Sequence, residues 1–316
     1  IVFLFCKGPS ESARNLFVTT FLETGKMKFI VSIFLNDQEI QNIVNANSMS
    51  TLNEDVNTSL IDVTNTDDSE IKIEQINGSN YSGTMMIVKN PKKVFVGTTY
   101  PWTEYGMELD KIVSKYNAVG GINGGIYVST MNKGGRPLGL VVSNGEIQNN
   151  NATEMAGLYL IGFDQSNILR IISLENKNTS EIEEIVSKEK IRDAVTFQDE
   201  MSDANNHFVK LIVNGETREL NGTGSGANPR TVIGQKSDGT VLLLVTDGRG
   251  ANGHLGATAS DLIEIMQKYG AINAANLDGG SSSSMYYNNE YLRTSVTLYY
   301  SNSSWRIPTA FLVSGE

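Results

Sequence analysis

Two aspartates that each precede a glycine, Asp247 and Asp278, are the clearest candidates for chemistry in this sequence. Each ends an apolar run that predicts a buried strand, over 241–247 and 271–278, and the residues between the runs predict one helix. This order normally produces a parallel βαβ unit, in which the carboxyl ends of both strands lie at one edge of the sheet. Ligands bind at that edge in open α/β sheets. The sequence therefore predicts that the two aspartates face one crevice.

A second interpretation of these aspartates requires no ligand. A carboxylate beside a glycine can accept hydrogen bonds from the backbone amides of its own turn. The occurrence of both aspartates at matching strand ends favours a shared site. Glycine also lets a ligand approach the backbone closely, because it has no side chain.

One segment of fifteen residues recurs 153 positions later in the chain. Residues 109–123 align with 262–276 at six identical positions, and both copies precede a Gly-Gly pair. The repeat indicates either an internal duplication or the same type of helix-to-strand connection used twice. In both cases we expect Asn123, Gly124 and Gly125 to lie near the second copy's polar end, which comprises Asn276, Asp278, Gly279 and Gly280.

Glycine turns and arginines around the predicted crevice indicate an anionic ligand. Free backbone amides at such turns, and at the helix that Thr258 begins, bind phosphate or carboxylate groups. Arg230 and Arg249 could add bidentate hydrogen bonds to phosphate oxygens. The alternative is that each arginine forms a salt bridge with one of the two aspartates.

Composition excludes several classes of protein. The chain has 316 residues, a net charge of −10 and a pI near 4.9, so nucleic acid is not expected as a partner. The single cysteine, Cys6, excludes a disulfide framework. His207 and His254 lie far apart and lack metal-ligand spacing. No cofactor is therefore expected.

Nucleophilic and metal chemistry have weak support. Four consecutive serines follow Gly280, but the GxSxG elbow of serine hydrolases is absent. Asp247, Asp278 and Asn276 carry oxygen ligands that suit a divalent cation, yet their spacing matches no known binding loop. No metal site is predicted.

The fold class expected is α+β, a mixed β-sheet core with flanking helices and a parallel βαβ unit near the carboxyl terminus. Residues 1–47 predict a helical leader, and residues 48–104 predict a linker followed by a β-hairpin. Residues 105–316 predict the domain that carries the site.

The apolar residues 1–6 suggest the end of a membrane anchor or signal peptide that has been cut. A buried strand is the alternative. With the low cysteine content, the anchor favours an exported bacterial protein, secreted or held at the extracellular face of the membrane. The membrane would then be a partner only through the missing anchor.

Six motifs follow one another in the order found in the phosphodiester glycosidase family, which this chain resembles over roughly 105–315. The motifs are Gly121-Ile-Asn-Gly-Gly125, Pro137-Leu-Gly-Leu-Val-Val-Ser-Asn-Gly-Glu146, Asn228-Pro-Arg-Thr-Val-Ile-Gly234, Val245-Thr-Asp-Gly-Arg249, Gly256-Ala-Thr258 and Asn276-Leu-Asp-Gly-Gly280.

The resemblance implies a mixed α/β hydrolase that cleaves the glycosidic bond of a sugar-1-phosphodiester, such as an N-acetylglucosamine-1-phosphodiester. It assigns catalysis to Asp278, Asp247 and Asn123. It places the substrate against Arg230, Arg249, Thr258, Gly279 and Gly280. The neighbouring polar and glycine residues are further predicted to bind the substrate: Asn276, Ser281, Ser282, Gly124 and Gly125. Ser281 stands where many members have a third glycine, so either Ser281 or Ser282 could face the ligand.

Asp278 would act on the sugar side as a base or as a stabiliser of positive charge, with Asp247 positioning it or sharing the role. Arg230 and Arg249 would bind the phosphate. The expected function is an exported glycosidase that acts on a cell-surface or extracellular glycan, such as an exopolysaccharide. The alternatives are a non-catalytic module that binds phosphorylated glycans and a structural protein on the same scaffold. The sequence does not indicate the oligomeric state.

Overall fold

A computed structural model describes most of the chain. Ile1 of the predicted anchor and residues 65–68 of the predicted linker lie outside the described residues. The described ranges are 2–24, 28–64, 69–128, 130–201, 206–295 and 303–315.

Helices and strands alternate in groups along the described chain. The helices are α1 Val2–Lys7, α2 Glu11–Leu22, α3 Phe29–Ser32, α4 Asp37–Ala46, α5 Leu109–Lys115, α6 Thr179–Lys188 and α7 Ala259–Lys268. The strands are β1 Ile71–Asn77, β2 Ser82–Val88, β3 Val94–Thr98, β4 Ala118–Asn123, β5 Leu140–Ser143, β6 Glu146–Asn150, β7 Leu158–Asp164, β8 Leu169–Ser173, β9 Ile191–Gln198, β10 Glu200–Met201, β11 Asn206–His207, β12 Lys210–Val213, β13 Glu216–Thr217, β14 Thr231–Lys236, β15 Val241–Thr246, β16 Ala271–Asn276, β17 Ser284–Tyr287, β18 Glu290–Thr294 and β19 Thr309–Ser314.

Three antiparallel sheets form the body of the described protein, in agreement with the predicted α+β class. The largest has the strand order β1-β2-β15-β14-β16-β12-β13. The other two have the orders β18-β17-β4-β19-β3 and β6-β5-β9-β7-β8, and β10 pairs with β11 apart from them. Strands of the 48–104 segment pair with later strands, since β2 joins β15 and β3 joins β19.

The predicted parallel βαβ unit is wrong in one respect that matters for the site. Both apolar strands exist, and α7 connects them, but β14 lies between β15 and β16 and pairs antiparallel with each. The two strands therefore run in the same direction without touching. Their carboxyl ends share one edge of the sheet, yet they are separated by two strand spacings, or about 10 Å.

The hairpin predicted around Asn77-Gly78 is confirmed, because β1 and β2 pair antiparallel from Ile71 opposite Val88 to Asn77 opposite Ser82. The recurring segment also folds twice into the same unit. Its first copy forms α5 and β4, and its second copy forms α7 and β16, in two different sheets.

The four helices α1–α4, hereafter the leader helices, have a hydrophobic cluster of their own. Its buried members are Cys6, Val18, Val31, Leu35 and Ile43. The predicted helical character of this region is therefore confirmed, although short breaks divide it. None of the helices in the described ranges has the length and apolar character needed to cross a membrane.

Helix α7 begins where the sequence predicts, directly after Thr258, and Thr258 caps it. The Thr258 hydroxyl accepts a hydrogen bond from the Asp261 amide at 3.3 Å, and the Asp261 carboxylate accepts one from the Thr258 amide at 2.8 Å. The two residues thus satisfy amides that would otherwise lack partners at the helix start. Thr258 is buried and does not depend on a ligand for these contacts.

We predict that Thr258→Ala lowers the free energy of unfolding by about 1 kcal/mol, the usual cost of removing a capping hydroxyl. Urea denaturation measures the change. Ser260→Ala, in the first turn of the same helix, is the matched control and should have a smaller effect. Equal stability of the Thr258 variant and the wild type would contradict the capping role.

Candidate active site

A small pocket lies where β14 begins and where β9 and β16 end. Its volume is about 130 Å³. The lining residues combine charged, aromatic and glycine positions from distant parts of the chain: Glu23, Phe197, His207, Asn228, Arg230, Arg249, Asn276, Asp278, Gly279 and Gly280. Six of them, Arg230, Arg249, Asn276, Asp278, Gly279 and Gly280, are residues that the sequence analysis selected.

Asp278 is held in this pocket by its backbone. The Asn123 side-chain amide donates to the Asp278 carbonyl oxygen at 2.7 Å. The Asn123 side-chain oxygen accepts hydrogen bonds from the Thr231 hydroxyl at 2.8 Å and the Ser284 amide at 3.1 Å. The expected proximity of Asn123 to Asp278 is thus confirmed. Asn123 therefore holds the Asp278 backbone in place, and its own side chain does not line the pocket.

The carboxyl group of Asp278 has an unusual protonation behaviour. Burial raises its pKa to about 7, although hydrogen bonds from Ser282 and the Gly279 amide and the charge of Arg249 oppose the shift. Desolvation penalises the ionised form of a carboxyl group, so its effect here is larger than that of the nearby positive charge. Asp278 can therefore gain or lose a proton near neutral pH.

Arg249 covers the glycine turn that follows Asp278. Its Nη1 donates to the Ser281 hydroxyl at 2.6 Å. A side-chain carbon at Gly280 would lie 2.6 Å from Arg249 Nη2, and Gly280 has a φ of +61°. Only glycine suits this position, since both the backbone conformation and the close guanidinium exclude a side chain.

Arg230 is a buried cation whose charge is matched by a residue of the leader helices. Its Nη2 lies 2.7 Å from the Glu23 carboxylate, and it also donates to the Gly226 carbonyl at 2.8 Å. The guanidinium carbon lies 4.9 Å from the centre of the Phe208 ring. The alternative salt bridge of Arg230 with Asp247 or Asp278, left open by the sequence, is replaced by one with Glu23.

The Glu23 carboxylate occupies an anion site. Besides Arg230, it accepts hydrogen bonds from the Gly226 amide at 2.6 Å and from Asn228 Nδ2 at 2.8 Å. Its side chain is only 6% exposed. A guanidinium, a backbone amide and a side-chain amide are donors that suit a phosphate oxygen equally well. The pocket thus binds an anion, and in this structure the anion belongs to the chain.

Asp247 does not share the pocket with Asp278, so the predicted common crevice is wrong. The Asp247 carboxylate accepts a hydrogen bond from the Ser82 amide at 2.7 Å and lies 2.9 Å from His254 Nδ1. Arg293 lies 3.6 Å away. The physical reason is the strand β14, which separates the two strand ends and directs Asp247 toward β2 and β18.

Other selected residues support the pocket without lining it. Ser282 bonds with the Tyr127 hydroxyl at 2.9 Å, and Ser281 receives the hydrogen bond from Arg249. Gly124 and Gly125 are packed so tightly that an added side-chain carbon would lie 2.6 Å from Thr309 Oγ1 or 2.5 Å from the Thr196 carbonyl oxygen. Thr258 caps α7, as described above.

Sequence reasoning missed four lining residues, Glu23, Phe197, His207 and Asn228. Asn228 is the first residue of the Asn228-Pro-Arg motif and could have been found from it. His207 has no second histidine near it in the sequence, so spacing alone does not single it out. Glu23 and Phe197 had no local signal. Within the described ranges, no group of three or more His, Cys, Asp or Glu side chains is arranged to hold a metal ion.

Comparisons with known proteins agree with the fold. Residues 116–314 match the model of the family described as phosphodiester glycosidase. The catalytic domain of zebrafish N-acetylglucosamine-1-phosphodiester alpha-N-acetylglucosaminidase, auto-inhibited by its pro-peptide, is a structural relative. It superposes with a TM-score of 0.58 at 18% identity, over 80% of this chain and 86% of that one. This likeness shows the fold.

A curated relative is similar over a short segment. The SPbeta prophage-derived uncharacterized protein YomE of Bacillus subtilis (strain 168) is 42% identical over 65 residues, which is 21% of this chain. The matched segment spans 10% of the length of that relative.

The raised pKa of Asp278 predicts a pH-dependent stability. The folded state keeps its proton up to about pH 7, whereas the unfolded carboxyl ionises near 3.8. The free energy of unfolding of the wild type should therefore fall, relative to that of Asp278→Asn, as the pH rises between these values. Urea denaturation at several pH values measures the difference.

Asp238→Asn, in the β14–β15 turn, is the control. The wild type should not lose stability relative to this variant as the pH rises, because interactions in the folded state lower the Asp238 pKa. A constant difference between wild type and Asp278→Asn would contradict the shift.

Proposed function

The chain belongs to the phosphodiester glycosidase family, and from this premise we propose that it hydrolyses a sugar-1-phosphodiester at the glycosidic bond. The proposed substrate resembles an N-acetylglucosamine-1-phosphodiester, the substrate in the name of the zebrafish relative. The observation that carries the proposal is the Asp278 carboxyl, with a pKa of about 7, in one pocket with Arg230 and Arg249.

The arginines suit the departing group of this reaction. When the bond between the sugar carbon and the phosphate oxygen breaks, the electron pair leaves with the phosphate. Arg230, Arg249 and the amide of Gly226 offer donors to the oxygens on which this charge develops. The leaving group is already anionic, so it needs little help from an acid.

Asp278 suits the sugar side. In its ionised form it can accept a proton from water as the water oxygen attacks the sugar carbon. The negative carboxylate also stabilises the positive charge that grows on the sugar ring in the transition state. A pKa of about 7 leaves the group partly ionised at neutral pH. Asn123 contributes by holding the Asp278 backbone.

We further propose that the leader helices inhibit the enzyme. The Glu23 carboxylate takes the donors that a phosphate would need, and Thr20 fixes the adjoining loop by accepting a hydrogen bond from the Ala227 amide at 3.0 Å. The zebrafish relative is described as auto-inhibited by its pro-peptide. Displacement of Glu23 would expose the anion site to substrate.

The location of the protein is also a proposal. We infer that it works outside the cytoplasm, secreted or at the extracellular face of the membrane, on a surface or extracellular glycan. Support comes from α1, whose side chains Phe3, Leu4 and Phe5 are exposed although they are apolar.

A non-catalytic module that binds phosphorylated glycans is the second candidate. The observation that favours it is that Asp247 lies outside the pocket, next to His254. The pocket therefore lacks the second aspartate that the sequence predicts there. Glu23 is bound as an anion ligand, so Asp278 is the one lining carboxyl group left for chemistry.

We predict that Asp278→Asn lowers turnover of a chromogenic N-acetylglucosamine-1-phosphodiester by about 10²–10⁴-fold, the usual contribution of a general base. The activity of the parent chain should rise as the pH increases through about 7, because only the ionised carboxylate accepts a proton. The assay should be run with and without Glu23→Gln. Asp238→Asn is the folded control.

Turnover that survives in Asp278→Asn would contradict the assignment of the base. Binding of the phosphodiester without turnover in any of these chains would favour the binding module.

We predict that Glu23→Gln increases catalytic efficiency and the affinity for inorganic phosphate by tenfold or more, since hydrogen bonds to charged groups contribute about 1.5–3 kcal/mol. Glutamine keeps the size of the side chain and loses its charge. Glu11→Gln, at the exposed start of the helix α2 that Glu23 follows, is the matched control. Unchanged phosphate affinity would contradict inhibition, and a loss of turnover would instead make Glu23 part of the catalytic machinery.

A further inference from the structure

One acceptor in the pocket has no partner among the described residues, the side-chain oxygen of Asn276. The Asn276 Nδ2 atom donates to the Phe208 carbonyl at 3.0 Å. A carbonyl oxygen can only accept, so this bond fixes which end of the amide is the oxygen. Asn276 is 1% exposed, and its Oδ1 atom is buried without a hydrogen bond. A buried acceptor left in this state is unfavourable, because it has lost its hydrogen bonds to water and gained none from the protein.

His207 provides a second acceptor in the same pocket. Its Nδ1 atom lies 3.1 Å from Gln198 Oε1. The Gln198 amide nitrogen donates to the Ala156 carbonyl at 2.9 Å and to the Glu200 carboxylate at 2.6 Å, which fixes the Gln198 orientation. Nδ1 must therefore carry the hydrogen of the neutral ring.

The neutral state of His207 follows from its surroundings. Burial and the positive charge of Arg230 lower its pKa to about 4. At neutral pH the remaining ring nitrogen, Nε2, is thus an unprotonated acceptor. Phe197 backs the imidazole, with the two ring centres 5.3 Å apart. This contact and the bond to Gln198 hold the ring in one orientation.

We propose that Asn276 and His207, hereafter the acceptor pair, recognise the sugar of the substrate by accepting hydrogen bonds from its hydroxyl or acetamido N–H groups. This inference rests on the proposed function, in which Arg230 and Arg249 bind the phosphate of the same molecule. The pocket then separates two kinds of recognition. The arginines donate to an anion, and the acceptor pair receives donors from a neutral sugar.

The acceptor pair also predicts what the site rejects. A deoxy sugar that lacks the recognised hydroxyl or acetamido group has no hydrogen to donate to these acceptors. A polar site that hydrogen-bonds a substrate group discriminates strongly against ligands that lack it, because its buried atoms are then left unpaired. A deoxy analogue of N-acetylglucosamine that lacks the recognised donor should therefore bind more weakly than N-acetylglucosamine itself.

Titration calorimetry of the full chain carrying Glu23→Gln tests this assignment, with N-acetylglucosamine, its deoxy analogues and inorganic phosphate as probes. Adding Asn276→Leu should weaken N-acetylglucosamine about tenfold, the value of one hydrogen bond, and leave phosphate unchanged. Asn273→Leu is the matched control: Asn273 is also buried on β16, but it accepts from the Asn214 amide at 2.9 Å, away from the pocket.

A second measurement needs no change at the acceptor pair. The sequence contains 2 histidines, so the ring nitrogen signals of His207 and His254 are readily distinguished by NMR. Addition of N-acetylglucosamine should shift the His207 Nε2 signal. The His254 signal is the internal control, because its ring contacts Asp247 outside the pocket.

The proposal is overturned if the His207 signal does not move, or if the Asn276 and Asn273 variants bind N-acetylglucosamine equally. It is also overturned if deoxy analogues that lack single hydroxyl or acetamido groups all bind as well as N-acetylglucosamine itself. These outcomes are separate from the fate of the proposed function. Sugar binding that depends on Asn276, without any turnover, would contradict the proposed hydrolase activity alone. Turnover that is unchanged by Asn276→Leu would contradict the role of the acceptor pair alone.

Discussion

The enclosure of charge in a small pocket is the constraint on which the rest of the structure depends. Arg230 is buried, and a buried guanidinium needs a negative partner because protein solvates charge poorly compared with water. The chain supplies that partner from the leader helices, through Glu23. A phosphate could replace the carboxylate and preserve the charge balance. The proposed inhibition by the leader helices and the proposed binding of substrate are thus two ways to meet one electrostatic requirement.

Burial in the same pocket favours the neutral form of Asp278, whereas Glu23 is bound there as an anion. Too little positive charge reaches this carboxyl to offset its burial, so its pKa is raised to about 7. The two acidic residues of the pocket therefore differ in role. Glu23 lies among three donors and is bound as an anion. Asp278 is held by its backbone and keeps a proton that it can release near neutral pH. Environment, and not residue type, assigns these roles.

Long-range strand order decides which polar groups meet. Because β14 separates β15 from β16, Arg230 at the start of β14 lies beside the end of β16 and shares a pocket with Asp278. Asp247, on the far side of β14, instead contacts His254 and the Ser82 amide. Asp247 thus joins β2 to the loop after β15. The antiparallel arrangement thus separates the expected pair of aspartates and leaves Asp278 in one pocket with Arg230 and Arg249.

Local patterns in the sequence determined the elements and most of the pocket's charged rim. Apolar runs specified β15 and β16, Asn77-Gly78 specified a hairpin, and the Asp-Gly-Gly and Asn-Pro-Arg motifs identified Asp278 and Arg230. Such signals are readable because strand burial, turns and caps depend on residues that are neighbours along the chain.

Only the tertiary structure decided that Glu23 reaches Arg230, that His207 and Phe197 complete the wall, and that Asp247 lies outside. These contacts join residues far apart in the chain. They depend on which strands pair, and that choice is made by the burial of whole sheet faces.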